Sequence, residues 1–203
     1  MEHRLAAITG FVLAGGESRR MGEPKHGLVL GGETMLDRQI RLLRSVCRTV
    51  AVVGPMGDRT RGDIPFFPDP IRGRGPLGGV YAALGETRSE YNLIVACDLP
   101  FLEIRFLNRL ARLALISKAD VTVPEDMSRR LLPLCAVYRR GLREIIRGRL
   151  AQNSNKADGY FRHMRLGVMT WRETMRAGFS AHIFDNINRP EDFEAAKLRL
   201  AAV

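Results

Sequence analysis

Leu13-Ala14-Gly15-Gly16-Glu17-Ser18-Arg19-Arg20-Met21-Gly22-Glu23-Pro24-Lys25 continues an apolar run that holds Ile8, Phe11 and Val12, and it decides how the rest of the chain is read. The run from Ile8 to Ala14 has the character of a buried first strand, stopped by paired glycines. Such glycines turn tightly and bring backbone N–H groups against a ligand with no Cβ in the way. Successive amides in that turn form an anion-binding concavity. Arg19, Arg20 and Lys25 add three cations within a few residues, which suits a triphosphate. The plain alternative is a turn with solvated arginines. No Walker A Gly-Lys-Ser/Thr is present after it, and the third glycine of the dinucleotide fingerprint is absent.

Working outward, apolar runs and helical periods alternate. Thr34 to Ser45 carries Met35, Leu36, Ile40 and Leu43 at helical spacing, with Thr34 as the cap. Strands are predicted at Thr49 to Val53, Ile64 to Phe67, Tyr91 to Cys97, Val121 to Val123 and Leu134 to Tyr138. Helices are predicted at Gly78 to Leu84, Glu103 to Ser117, Gly141 to Leu150 and Asp192 to Leu200. The polar stretch Gln152 to Asp158 reads as an exposed loop. This order predicts an α/β fold, a three-layer sandwich with a mainly parallel central sheet and helices on both faces. Ligands in such sheets bind beyond the carboxyl ends of the strands. No repeat or linker divides residues 1–203, so one domain is expected.

The 203 residues are 45% hydrophobic and 27% charged, the composition of a globular protein with a proper core. No apolar stretch reaches the length of a membrane span. The apolar start flows straight into the glycine loop, which argues against a signal peptide. Cys47, Cys97 and Cys135 lack metal-ligand spacing and are expected to be reduced, buried thiols of a cytoplasmic protein. The net charge of +10 suits an anionic partner. The arginines are scattered, aromatics are 7% of residues, and no nucleic-acid-binding signature is present, which weighs against nucleic acid.

Asp98 ends the apolar strand Leu93-Ile94-Val95-Ala96-Cys97 and precedes Leu99-Pro100. A carboxylate there needs a cation, and Mg²⁺ suits one or two carboxylates plus phosphate oxygens. A turn or capping role is an equal alternative. Asp69 precedes the string Gly75-Pro76-Leu77-Gly78-Gly79, which reads as a turn into a helix or as backbone brought close to a base and sugar. Asn186 and Asn188 stand before Pro190 in what would ordinarily be a capping segment.

The string Leu-Ala-Gly-Gly-x-Ser-x-Arg-Met-Gly-x-x-Lys resembles the signature loop of the molybdenum cofactor guanylyltransferases, within the Rossmann-like nucleotidyltransferases that include sugar-nucleotide pyrophosphorylases. The resemblance extends in order to Asp192. It implies the nucleotide-diphospho-sugar transferase fold and transfer of GMP from GTP to molybdopterin or Mo-molybdopterin, with cofactor insertion proteins or apo-enzymes as recipients. It implies that Lys25 and Asp98 are catalytic and that Asp98 ligates Mg²⁺. It implies nucleotide contacts from Leu13, Ala14, Gly15, Gly16, Arg20, Lys25, Asp69 and Asp98, with base, ribose and metal all open to Asp69. Asn186 and Asn188 would lie by the pterin. Two departures stand out: Gly54 stands where several family members have a polar residue, and Leu132-Pro133-Leu134 stands where the family usually has His-Pro-Leu toward the acceptor side. A CTP-using relative, another phosphorylated acceptor and a non-catalytic nucleotide binder are the rival readings.

Overall fold

The computed structural model describes residues 5–15, 24–54, 63–69, 76–151 and 161–201. In chain order the elements are β1 (Leu5–Leu13), β2 (Val29–Leu30), β3 (Glu33–Thr34), α1 (Met35–Val46), β4 (Cys47–Val53), β5 (Phe66–Phe67) and α2 (Pro76–Gly85). Then come β6 (Tyr91–Ala96), α3 (Ile104–Ser117), β7 (Val121–Pro124), β8 (Cys135–Arg139) and α4 (Arg143–Ala151). Strand β9 (Leu166–Met169), α5 (Trp171–Arg176) and α6 (Pro190–Ala201) complete the order.

Seven strands form one sheet in the order β5-β4-β1-β6-β8-β7-β9. Strand β8 is antiparallel to both of its neighbours, β6 and β7. The other adjacent pairs are parallel. The β7–β8 connection is short and tied by a Glu125–Leu131 bridge, with no crossover helix to carry the chain back. A parallel return needs such a crossover, so β8 must run the other way.

Side chains alternate across the sheet as a period of two requires. Ile8 and Val12 of β1 face the core under α1 and α3, where Leu36, Ile40, Leu43, Phe106 and Leu110 pack. Phe11 and Leu13 face the opposite core, filled by Leu77, Val80 and Leu84 of α2 and Ile146 of α4. Each such buried side chain stabilises the fold by roughly 1.5–3 kcal/mol. A one-residue slip of β1 would exchange the two sets, so its register is fixed.

Helix α1 starts at Thr34, whose side chain accepts a hydrogen bond from the Asp37 amide. A two-stranded hairpin, β2–β3, precedes it, turning at Gly31 and Gly32, whose φ values of 64° and 85° require glycine. Leu28, Leu30 and Met35 around this hairpin pack with Ile187 and with Ala196 of α6. The segment after α5 is thereby brought back beside the segment just beyond the glycine loop.

Candidate active site

Leu13 is in register with Val53 of β4 and Ala96 of β6, so three parallel strands end level with one another. The turns leaving these strands therefore gather at one edge of the sheet. Ala14 donates its N–H to Val53 O at 2.8 Å, and Gly15 beyond it is exposed. Gly54 sits against them: a Cβ there would lie 3.1 Å from the Ala14 carbonyl carbon and 3.2 Å from the Gly15 nitrogen. The backbone of the first loop thus lies in the space a side chain at Gly54 would need. Asp69, half-buried, comes after the edge strand β5, and Asp98 comes after β6.

Lys25 opens a 3-10 turn over Lys25–Gly27. Its ammonium donates to Asp98 Oδ2 at 3.2 Å and to Asn188 Oδ1 at 2.7 Å. Both members of the ion pair are largely but not fully covered, with 19% and 23% of their side chains accessible. Asn188 is anchored in turn, since its amide and that of Arg189 both donate to Asp192 Oδ2 at 2.8 Å. The Ile187 amide donates to Asp98 O at 2.9 Å, so the same segment holds the aspartate's backbone.

The structure therefore brings Lys25, Asp98 and Asn188 into direct contact, with Ala14 and Gly15 at the same sheet edge. Leu13 is placed differently. Its side chain is buried beneath α2, 3.1 Å from where a Cβ on Gly79 would stand, so only its backbone remains for a ligand. Asn186 is exposed and lines a shallow depression with Phe101 and Arg199. Gly16, Arg19 and Arg20 lie outside the described residues, as does the Gln152 to Asp158 loop. Leu132 is half-buried against the α1–α3 core; its amide donates to Pro124 O and its carbonyl accepts from the Cys135 amide.

A model of the MobA-like NTP transferase domain matches residues 10–165, from β1 to the approach of β9. The chain belongs to the MobA-like NTP transferase family. Among relatives of this NTP transferase, one from Pelotomaculum thermopropionicum, named "Probable molybdenum cofactor guanylyltransferase", is 34% identical, over 94% of this chain and 92% of its own. The molybdenum cofactor guanylyltransferase of Desulfosudis oleivorans is 33% identical over 97% of both. The solved structure of molybdopterin-guanine dinucleotide biosynthesis protein A from Archaeoglobus fulgidus superposes with a TM-score of 0.83, covering 96% of this chain and all of that one. At 20% identity, this last likeness is one of fold.

The donors at the edge of this MobA-like transferase suit a magnesium ion held jointly with a nucleotide. Among the described residues no group of three or more His, Cys, Asp or Glu forms an all-protein metal cage. Magnesium asks for less, taking one or two carboxylates and completing its shell with phosphates and water. Two residues that motif reading did not single out also reach the site's turn. Gln39 donates to Leu99 O and Arg38 to Pro100 O, both at 2.6 Å. The signal for Gln39 was present in the sequence: it is an amide within the apolar stripe of α1.

Proposed function

We propose that the protein transfers GMP from GTP to the terminal phosphate of molybdopterin or Mo-molybdopterin, releasing pyrophosphate. The observation that carries this reading is the convergence of Lys25, Asp98 and Asn188, distant in sequence, at the sheet edge reached by the glycine loop. The names of relatives spanning nearly the whole chain support it.

In this reaction a pterin phosphate oxygen attacks the α-phosphorus, the bond to the bridging α–β oxygen breaks, and pyrophosphate leaves. The attacking phosphate is already anionic at neutral pH, so positioning and charge neutralisation do the catalytic work. Lys25 offers a compact positive charge for the triphosphate and the departing pyrophosphate. The backbone at Gly15, exposed where the glycine loop begins, can be approached closely by a phosphate. Asp98 is the carboxylate that would hold magnesium, which when bound supplies Lewis-acid neutralisation of phosphate charge. Asp69, after the edge strand β5, is assigned to the nucleotide. With Leu132 packed into the fold, the acceptor is bound without an imidazole at that position.

We assign the reaction to the cytoplasm, with insertion proteins or apo-enzymes receiving the product. No described helix is long and apolar enough to cross a membrane. The test is a competition among equal concentrations of GTP, CTP and ATP, with molybdopterin as acceptor and label followed into the dinucleotide. Labelled guanine dinucleotide is the expected product. Cytosine dinucleotide as the main product would move the protein to the cytidylyl reaction. No pterin product despite tight GTP binding would remove the assigned reaction.

A further inference from the structure

Three consecutive carbonyl oxygens, those of Asp98, Leu99 and Pro100, each accept a hydrogen bond from a residue distant in sequence. The donors are the Ile187 amide at 2.9 Å, Gln39 Nε2 at 2.6 Å and Arg38 Nε at 2.6 Å. The Cys97 amide before them donates to Leu13 O at 3.1 Å. A turn of this kind, lying outside the sheet ladder, must find partners for its backbone groups or lose stability for each one buried without them. Here two of the three partners come from side chains of one helix, α1. Its cap at Thr34 and its buried stripe of Met35, Leu36, Ile40 and Leu43 fix where those side chains point.

Gln39 stands in that stripe with none of its surface accessible. Its amide nitrogen serves Leu99, while its Oε1 is buried without a partner among the described residues. An apolar side chain there would continue the pattern of the helix and avoid the cost of an orphaned oxygen, and unsatisfied buried groups are uncommon enough to require a reason. Arg38 is oriented too, since its Nη1 donates to Glu33 Oε1 at 3.1 Å while its Nε donates to Pro100 O. Both side chains converge on the turn that carries Asp98, whose own side chain meets Lys25.

We propose that Gln39 and Arg38 are positioning residues for nucleotidyl transfer, fixing the Asp98 carboxylate through the Leu99 and Pro100 carbonyl oxygens. This assignment rests on the proposed function, because it gives Asp98 a task that depends on place. Neither side chain touches the reacting atoms; each acts through the turn. Misplacement of a reacting or charge-bearing group by about 1 Å costs on the order of 100-fold in rate.

The test uses Gln39→Leu, which keeps volume but removes the donor, and Arg38→Met, which keeps most of the stem. Each is made alone and together with Asp98→Asn. Binding of Mn²⁺ in the presence of GTP, followed by electron paramagnetic resonance, is measured alongside kcat, the KM for GTP and thermal unfolding. Gln39→Leu is expected to weaken Mn²⁺ binding about tenfold and lower kcat about 10- to 100-fold, with the KM for GTP nearly constant. In the Asp98→Asn background the same change should alter neither, because the group being positioned is already gone. A folded Gln39→Leu protein with wild-type Mn²⁺ affinity overturns the proposal, as does an equal loss in both backgrounds. Should Gln39→Leu not fold, Arg38→Met at its half-buried site is subject to the same two outcomes. Wild-type protein that binds no Mn²⁺ with GTP would overturn the nucleotidyl transfer reading and this one together. An unaffected variant beside a normal wild type overturns this one alone.

Discussion

The ammonium of Lys25 is shared between a carboxylate, Asp98, and an amide oxygen, Asn188, so its removal leaves both without that donor. Lys25→Ala is expected to lower turnover by about 10²–10³, the scale of losing one preorganised electrostatic contact. Its unfolding temperature should stay close to wild type, because the residue lies in a short surface turn. Near-normal turnover would dismiss Lys25 as a contact to the reacting phosphates. The two asparagines should separate. Asn188→Ala, which loses the 2.7 Å acceptor of Lys25, is expected to reduce kcat roughly tenfold, the cost of a hydrogen bond to a charged group. Asn186→Ala, at an exposed position, is expected to change only the KM for the acceptor. Equal effects of the two substitutions on kcat would show that Asn188 does not act through Lys25.

At the scale of elements, the end of β4 controls the glycine loop. Gly54→Ala would place a methyl within 3.1–3.2 Å of the Ala14 and Gly15 backbone, which cannot give way as a flexible side chain can. The expected result is a loss of about 1–3 kcal/mol in stability and weaker GTP binding, read by denaturant unfolding and nucleotide titration. Glu33 in β3 supplies a second check. A hydrogen bond from Arg41, with the charges of Arg41 and Arg38, holds its carboxyl below the usual range. Because folding lowers that pKa, the interaction stabilises the protein above the ordinary carboxylate range and is lost as pH falls through it. The stability deficit of Glu33→Gln should therefore be present near neutral pH and fade as the pH falls from the ordinary carboxylate range to the lowered folded-state pKa. The elements that positioned this site were legible where a strong period met a clear stop. Ile8 to Ala14, Tyr91 to Cys97 and the α1 and α3 stripes read correctly because buried faces repeat and glycine, proline or aspartate ends them. The β2–β3 hairpin was missed, since four paired residues carry no period. So were β9 and α5, although Thr170-Trp171-Arg172-Glu173 spells the capping box that the structure shows. The antiparallel entry of β8 was hidden for another reason: strand direction lies in the connection, not in the strand's residues. The Lys25–Asn188 contact was invisible because it arises from tertiary packing, where Ile187 and α6 return against the hairpin and the Ile187 amide meets Asp98 O.

Across the whole molecule, the three cysteines are free and buried, each with its thiol pushed up to about 12 by burial. A thiol reagent at about pH 8 should therefore modify none of them in the native protein and all three after unfolding, because the reactive species is the thiolate. Rapid labelling of one cysteine under native conditions would place that thiol at an opening in the core. The excess of positive charge has a partial outlet in a groove of about 490 Å³ along α3, lined by Arg105, Arg109 and Arg112, with Glu173 its one acidic residue. A different consequence belongs to the return of α6 to the hairpin. The nine described strands are complete by Met169, although Phe179 and Ile183 have still to join the core under α1 and α3, and the oxygen that holds Lys25 belongs to Asn188, 163 residues further along the chain than the lysine. During synthesis the sheet can therefore form while the nucleotide end still lacks its clasp. Full turnover is expected only once α6 has docked and brought Asn188 to Lys25, so a half-made chain would be at most a weak consumer of triphosphate.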